Sequence, residues 1–347
     1  MKRAFILLAI ILFLAAPIFA GVVKKTKSDV TFRGFGKFAL TQSEKLTADQ
    51  KWADSKTDFK GQGLAGGLAG KTILRSGDTG EIIDLPAMSI YNLDNKKKEY
   101  SVRPIKKLTE EMAGEQPEAK EKAEEKEEQP ETRIKIIRSE FKVEDTGEES
   151  VSNNFNVRKY LVHWLTEWED TETGEKGTNR LDTLVWTTPM TDTLQKAREE
   201  EFRFSKAYLE KIGVNVDKMQ QDILGTNWLS ILDSFGKDRG RAQRDFSKFA
   251  EEMQKIKGYP VVIDGKYYAT SQKPQTEMAE KEQEEQPKNI KGVFGGLAKK
   301  VLKKKPAEKE GGPEEPALAY YIEVTELSLA DLGANDFQVP ANYKKKG

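Results

Sequence analysis

The chain has 347 residues, with 57 basic and 57 acidic side chains, one histidine and no cysteine. A nucleic-acid-binding protein usually carries a strong basic excess on one face, so this charge balance argues against that class. The missing cysteines exclude disulfides, and a single histidine leaves too few ligands for a zinc site. The stability of the protein must therefore come from a packed core.

The first twenty residues have the pattern of a secretory signal peptide. Lys2 and Arg3 provide a positive start, residues 4–16 form an apolar run, and Ala20 provides a small residue for cleavage. A permanent membrane anchor is the weaker interpretation, because the run is shorter than the roughly 20 apolar residues that span a bilayer. We therefore predict export to the periplasm of a Gram-negative bacterium, with free secretion as the alternative.

Two segments are too polar to join a core. Residues 109–132 and 274–317 are dominated by Glu, Lys, Gln and Pro, a composition typical of disordered loops. Within the second segment, Val293 to Lys305 has apolar residues at helical spacing followed by lysines. Most stretches of this kind are only solvated, and transient contact with an anionic membrane surface is the alternative. Apart from these two loops, residues 21–347 are predicted to form a single domain.

The mature chain opens with alternating apolar and polar residues, the pattern of an antiparallel sheet that is wet on one side. In residues 28–41, Gly34 and Gly36 interrupt the apolar face, which indicates a bend or bulge in one strand. Leu46, Ala48 and Trp52 predict a second long strand. The following GQGLAGGLAGKT lacks the spacing of a phosphate loop and does not follow a buried strand, so we do not predict nucleotide binding.

The central stretch, residues 79–105, predicts a meander of three short strands. Pro86 ends the first, the polar turn at residues 94–96 ends the second, and the third returns antiparallel. In the third strand, Tyr100 and Val102 share one face.

Further strands are predicted at residues 133–143, 157–169, 181–187 and 319–327. In residues 259–270, the pair Asp264-Gly265 predicts a two-residue hairpin turn. His163 is predicted to be a structural strand residue, since no other histidine, no cysteine and no nucleophile motif accompanies it.

Residues 191–257 change to helical spacing. Asp192 and Gln195 fit a capping box, a second helix is predicted to open at Asn215 or Asp217, and a third begins at Phe246. Apolar stripes of this kind usually face a core. We expect these helices to cover the open side of the sheet, with a free partner-binding face as the alternative.

Several segments together resemble one known family. GEIIDL, IYNLDNKKKEYSV, FKVEDTGE with KYLVHW, LDTLVW, GYPVVIDGKYY and the closing NDFQVPANYKK follow the strand order of the periplasmic lipoprotein-localisation superfamily (the LolA, LolB and RseB type). The chain is most similar to the bacterial relatives of unknown function in that superfamily. The resemblance implies an α+β fold, in which a curved antiparallel half-barrel has helices covering its concave side and a cavity for acyl chains.

The sequence therefore predicts a non-enzymatic binding protein that shields a lipid or the acyl chain of a lipoprotein. The alternative is an envelope interaction or sensing module with a filled cavity and no cargo. No cofactor, metal or catalytic residue is predicted, because no nucleophile, metal or cofactor motif appears. The predicted cavity-lining residues are apolar and lie on the strands: Phe32, Phe38, Trp52, Tyr100, Val102, Tyr160, Val162, Trp164, Trp186, Ile322 and Val324.

Overall fold

The computed structural model describes residues 20–63, 77–107, 134–213, 246–272 and 314–346. Residues 1–19 of the predicted signal peptide, the first charged loop, most of the second, the basic patch at 293–305 and the second predicted helix lie outside the described residues. The last residues of the second predicted loop are described, and there Ala317 is buried and its amide donates to the Tyr267 carbonyl oxygen at 2.8 Å. The predicted loop is therefore too long at that end.

The described strands form one twelve-stranded sheet. Its order is β12-β6-β5-β4-β3-β2-β1-β11-β10-β9-β8-β7. Neighbouring strands are antiparallel except the short β12, which runs parallel to β6. The strands are β1 Ala20–Phe32, β2 Gly36–Leu46, β3 Gln50–Gly61, β4 Gly77–Asp84, β5 Ser89–Asp94, β6 Glu99–Pro104, β7 Ile134–Ser152, β8 Phe155–Asp170, β9 Lys176–Thr188, β10 Tyr259–Gln272, β11 Leu318–Asp331 and β12 Lys344–Lys345.

Two α-helices occur in the described part of the chain. Helix α1 spans Asp192–Lys211, and its first turn is capped by the Thr191 hydroxyl, which accepts from the Leu194 amide at 3.3 Å. Helix α2 spans Phe246–Met253. A 3-10 turn, Ala334–Phe337, follows β11.

The predicted fold class is wrong. The protein is a large open sheet rather than a sheet covered by helices, and its end strands, β7 and β12, do not pair with each other. Twelve strands spaced by about 4.8 Å make a sheet roughly 50 Å wide. Helix α1 has 20 residues and α2 has eight. Since 20 helical residues span about 30 Å, these helices leave much of the face uncovered.

The meander is confirmed as β4, β5 and β6, in the predicted antiparallel order. Three local predictions are wrong. The glycines near residue 34 do not bend one strand but stand in the hairpin that separates β1 from β2. Asp264-Gly265 makes no turn, because β10 runs straight through both residues. The apolar pattern through Leu46 and Trp52 is also interrupted, since β2 ends at Leu46 and β3 begins at Gln50.

Candidate ligand-binding face

Residues that pair directly across neighbouring strands point to the same face of a sheet, so the register defines two faces. One face carries both helices. Ala197 and Phe204 of α1 pack with Val22 and Leu46, and Met253 at the end of α2 packs with Val143. We call this the helix-bearing face and the other the opposite face.

The eleven predicted lining residues do not share one surface. Seven lie on the helix-bearing face: Phe32, Phe38, Tyr160, Val162, Trp164, Ile322 and Val324. Four lie on the opposite face: Trp52, Tyr100, Val102 and Trp186. Leu46 pairs with Lys51 across the β2–β3 turn, so Lys51 lies on the helix-bearing face with Leu46. The next residue, Trp52, therefore lies on the opposite face.

A continuous apolar row crosses the helix-bearing face. Each member pairs directly with the next on a neighbouring strand, from β1 through β11, β10, β9 and β8 to β7. We call this row the apolar belt; its residues are Phe32, Leu318, Tyr267, Leu181, Trp164 and Phe141. Leu181 and Tyr267 are buried, and the other four are half-buried.

Aromatic rings extend the belt onto β2 and β3. The ring centroids of Phe32 and Phe38 are 6.1 Å apart with nearly perpendicular planes, and those of Phe38 and Phe59 are 4.5 Å apart. Such pairs are favoured beyond the area that they bury. At the other end, the Phe141 ring lies 4.4 Å from the Phe249 ring of α2.

Sequence reasoning missed four belt residues, Leu318, Tyr267, Leu181 and Phe141. Each lies in or beside a predicted strand, and strict alternation along those strands would have found three of them. Leu318 could not be found in this way, because it directly follows the predicted charged loop.

The same face becomes polar on the β2–β5 side. An open cavity of about 380 Å³ is lined by Gln42, Ser55, Thr79, Glu81 and Asn92, together with Ala53, Gly80 and Leu93. None of the eleven predicted lining residues lies in it. Over β2–β5 the helix-bearing face is therefore polar only in a middle stretch, which lies between the Phe38–Phe59 ring pair and the core that packs under α1.

Buried charges lie where α1 crosses β1 and β2. Lys24 Nζ lies 2.5 Å from Glu201 Oε1 and 3.4 Å from Glu44 Oε2, and Lys51 Nζ lies 2.5 Å from Glu44 Oε1. The Tyr259 hydroxyl donates to Glu201 at 3.1 Å. Two lysines and two glutamates balance, so this network leaves no net charge on the face.

The network also changes the acidity of its members. Burial alone would raise the pKa of Glu44, but the attraction of Lys24 and Lys51 outweighs burial and lowers it. Burial alone would lower the pKa of Lys24, but Glu201, Tyr259 and Glu44 raise it. Both shifts favour the charged forms of Lys24 and Glu44, and the contact between Lys24 and Glu201 holds α1 against the sheet.

On the opposite face, the C-terminal segment covers β4–β6. Leu332 and Phe337 are buried against Ile82 and Leu93, with Trp52, Tyr91, Tyr100, Val339 and Tyr343 packed around them. Trp52 and Tyr100 are therefore part of a second core. Val102 is 38% exposed at the rim, and Trp186 lies under Lys159, whose Nζ is 5.0 Å from the ring centroid.

His163 is on a strand, as predicted, and points to the opposite face. Its Nδ1 lies 2.6 Å from Asp182 Oδ1, and Arg180 Nε lies 3.0 Å from Asp182 Oδ2. This cross-strand cluster is separated from the apolar belt by the sheet itself. Within the described residues, no group of three or more His, Asp and Glu side chains is placed to hold a metal ion.

Comparison with known proteins assigns no family: no family model matches this sequence, and no curated protein matches it either. Neither α1 nor α2 is long and apolar enough to cross a membrane.

Proposed function

We propose that this is a non-enzymatic periplasmic protein that shields an apolar ligand, a lipid or the acyl chain of a lipoprotein, against the apolar belt. The observation that carries the proposal is the belt itself. Six strands contribute directly paired apolar side chains to one row, and Phe32, Leu318, Trp164 and Phe141 in that row keep part of their surface exposed.

The energetics of such a surface suit an acyl chain. Each buried methylene contributes about 0.8 kcal/mol, so a chain that follows the belt across several strands could bind without any charged contact. The buried charges elsewhere on the helix-bearing face, Lys24, Glu44, Lys51 and Glu201, already pair with one another. They would therefore neither attract nor repel a neutral chain.

A second function is an interaction or sensing module whose apolar face is already filled. The observation that favours it is the burial of the side chains at the centre of the belt: Leu181, Tyr267 and the adjacent Tyr320 are only 3%, 8% and 4% exposed. These three already pack against one another. In this function the half-buried ends of the belt are the rim of a core rather than a binding surface.

Lipid analysis separates the two functions. The mature protein is purified from a periplasmic fraction, its bound lipids are identified by mass spectrometry, and uptake of a fluorescent fatty acid is measured. Trp164→Ala and Phe38→Ala, which remove belt and belt-extension rings, should lower occupancy. Trp186→Ala, on the opposite face, is the matched control and should leave occupancy unchanged. A protein that carries no lipid and takes up no fatty acid would exclude the carrier function and support the interaction module.

A further inference from the structure

Strand β7 is a long edge strand without a neighbour on its outer side among the described residues. It has 19 residues, Ile134–Ser152, and ends the strand order, with β8 on its inner side. Three of the four large apolar side chains that are exposed in the described structure lie on it: Ile136, Ile137 and Val151. Exposed edges of this length are templates for pairing with another strand.

The hydrogen bonding of Val143 shows which backbone groups face outward. Its amide donates to Glu252 Oε2 of α2 at 2.7 Å, so it does not bond to β8. In an antiparallel ladder, alternate residues direct both backbone groups to the same side. Ser139, Phe141 and Val143 therefore present their amides and carbonyls to the outer edge.

Side-chain charge alternates along the same stretch. Arg138, Glu140, Lys142 and Glu144 project from the opposite face, with between 43% and 60% of each side chain exposed. If a second β7 runs antiparallel with Phe141 facing its own copy, Arg138 lies opposite Glu144 and Glu140 opposite Lys142. Because the pairing is symmetric, each attraction occurs twice. Centring the pairing on Ser139 keeps only Arg138 opposite Glu140. Centring it on Val143 leaves Glu140 opposite Thr146 and pairs Arg138 with Glu148, which lies in the irregular stretch between Asp145 and Glu149.

We propose that β7 is an interface through which two copies of this chain pair antiparallel, centred on Phe141, to form one continuous sheet. The interface is self-complementary, as a two-fold dimer requires. Ser139 and Val143 of the two copies would exchange backbone hydrogen bonds. Glu252 caps the Val143 amide in the single chain, so pairing replaces that bond with one to the partner, which limits the affinity of the dimer. Both helix-bearing faces would lie on the same side of the joined sheet.

Charge reversal tests the register. Arg138→Glu with Lys142→Glu makes all four positions acidic, whereas Glu140→Lys with Glu144→Lys makes them basic. Sedimentation velocity across a dilution series should show a dimer for the unmodified protein. Each double variant should self-associate about tenfold more weakly or worse, and an equal mixture of the two should dimerise again. A protein that is monomeric at every concentration, or variants that both keep the original dimer, would overturn the proposal.

Because the chain contains no cysteine, a second test can introduce single cysteines and measure disulfide formation between two copies. Each variant changes at most one of the four charged positions. Glu140→Cys and Lys142→Cys proteins are mixed and mildly oxidised. Residues 140 and 142 would form a pair without backbone hydrogen bonds between the copies, with Cα atoms about 4.5 Å apart, within the range that a disulfide bridges. The mixed disulfide should form faster than the one between Glu149→Cys and Lys142→Cys, which are out of register. Equal rates would contradict the register.

Discussion

Lys24 of β1 and Glu201 of α1 form an ion pair, with Nζ and Oε1 2.5 Å apart and both side chains largely buried. This contact joins the helix to the sheet at the same place where Ala197 and Phe204 pack against Val22. A buried ion pair tolerates little misplacement, because either charge alone would be costly to bury. The pair therefore determines where α1 crosses the sheet, and with it how much of the helix-bearing face stays open.

Lys24→Met should destabilise the protein by about 3 kcal/mol, the lower end of the range for breaking a buried pair, because Glu44 and Glu201 keep Lys51 and Tyr259 as partners. The measurement is urea unfolding followed by circular dichroism. Lys25→Met is the matched control, since Lys25 forms an exposed pair with Glu326 and should cost less than about 1 kcal/mol. Equal losses in the two variants would show that the buried network has no special role.

Acid should weaken the protein through Glu44. Because its pKa is lower in the folded protein than in the unfolded chain, the unfolded state takes up a proton first as pH falls. The stabilising contribution is complete above the ordinary glutamate pKa of about 4.3 and is lost as pH falls towards the folded value. Free energies of unfolding measured from neutral pH to about pH 3 should decline less steeply for Glu44→Gln than for the unmodified protein. Parallel curves would exclude Glu44 as the source.

Gly265→Ala should destabilise the protein by about 1 to 3 kcal/mol, because the added Cβ would lie 2.1 Å from Tyr320 Cζ. Gly333→Ala is the control: nothing lies within 4 Å of its Cβ position, so its stability should change little. The cost of Gly265→Ala should largely disappear in a Tyr320→Ala background, which thermal unfolding of the double-variant set would measure. A cost that persists there would point to the backbone instead of the ring.

The same glycine explains why one prediction failed. Asp264-Gly265 is a strong hairpin signal in a single sequence, but here the glycine serves to admit the Tyr320 ring from β11. Gly36 shows the opposite error: the sequence indicated a bend within one strand, but a hairpin turn separates two strands there, and Gly36 is the first residue of the second. Its φ is +151°, and an added Cβ would lie 2.5 Å from the Lys60 carbonyl oxygen. In both cases the need for glycine comes from a residue on a neighbouring strand, Tyr320 or Lys60, which the local sequence does not reveal.

The strands themselves could be predicted because alternation is a local property of the chain. The face on which each strand places its apolar residues could not, since it depends on how many residues each turn contains. Trp52 and Trp186 were therefore predicted to line the cavity, although both lie on the opposite face of the sheet. The extent of helical cover also could not be predicted, because apolar spacing in residues 191–257 does not reveal the width of the sheet beneath.

Phe337→Ala should destabilise the protein by about 3 kcal/mol, although it lies near the chain end in a short 3-10 turn. The ring is 5% exposed and fills the core formed with Ile82, Leu93 and Leu332 on the opposite face. Hydrogen exchange should accelerate in β4 and β5, which this segment covers, more than in β8.

Val151→Ala is the control for this change, because its side chain is 66% exposed and its loss should alter stability by less than about 0.5 kcal/mol. If Phe337→Ala leaves exchange in β4 and β5 unchanged, the C-terminal segment does not protect that half of the sheet. If exchange rises there while fatty-acid uptake stays the same, the two faces of the sheet act independently, with a structural core on one and the binding surface on the other.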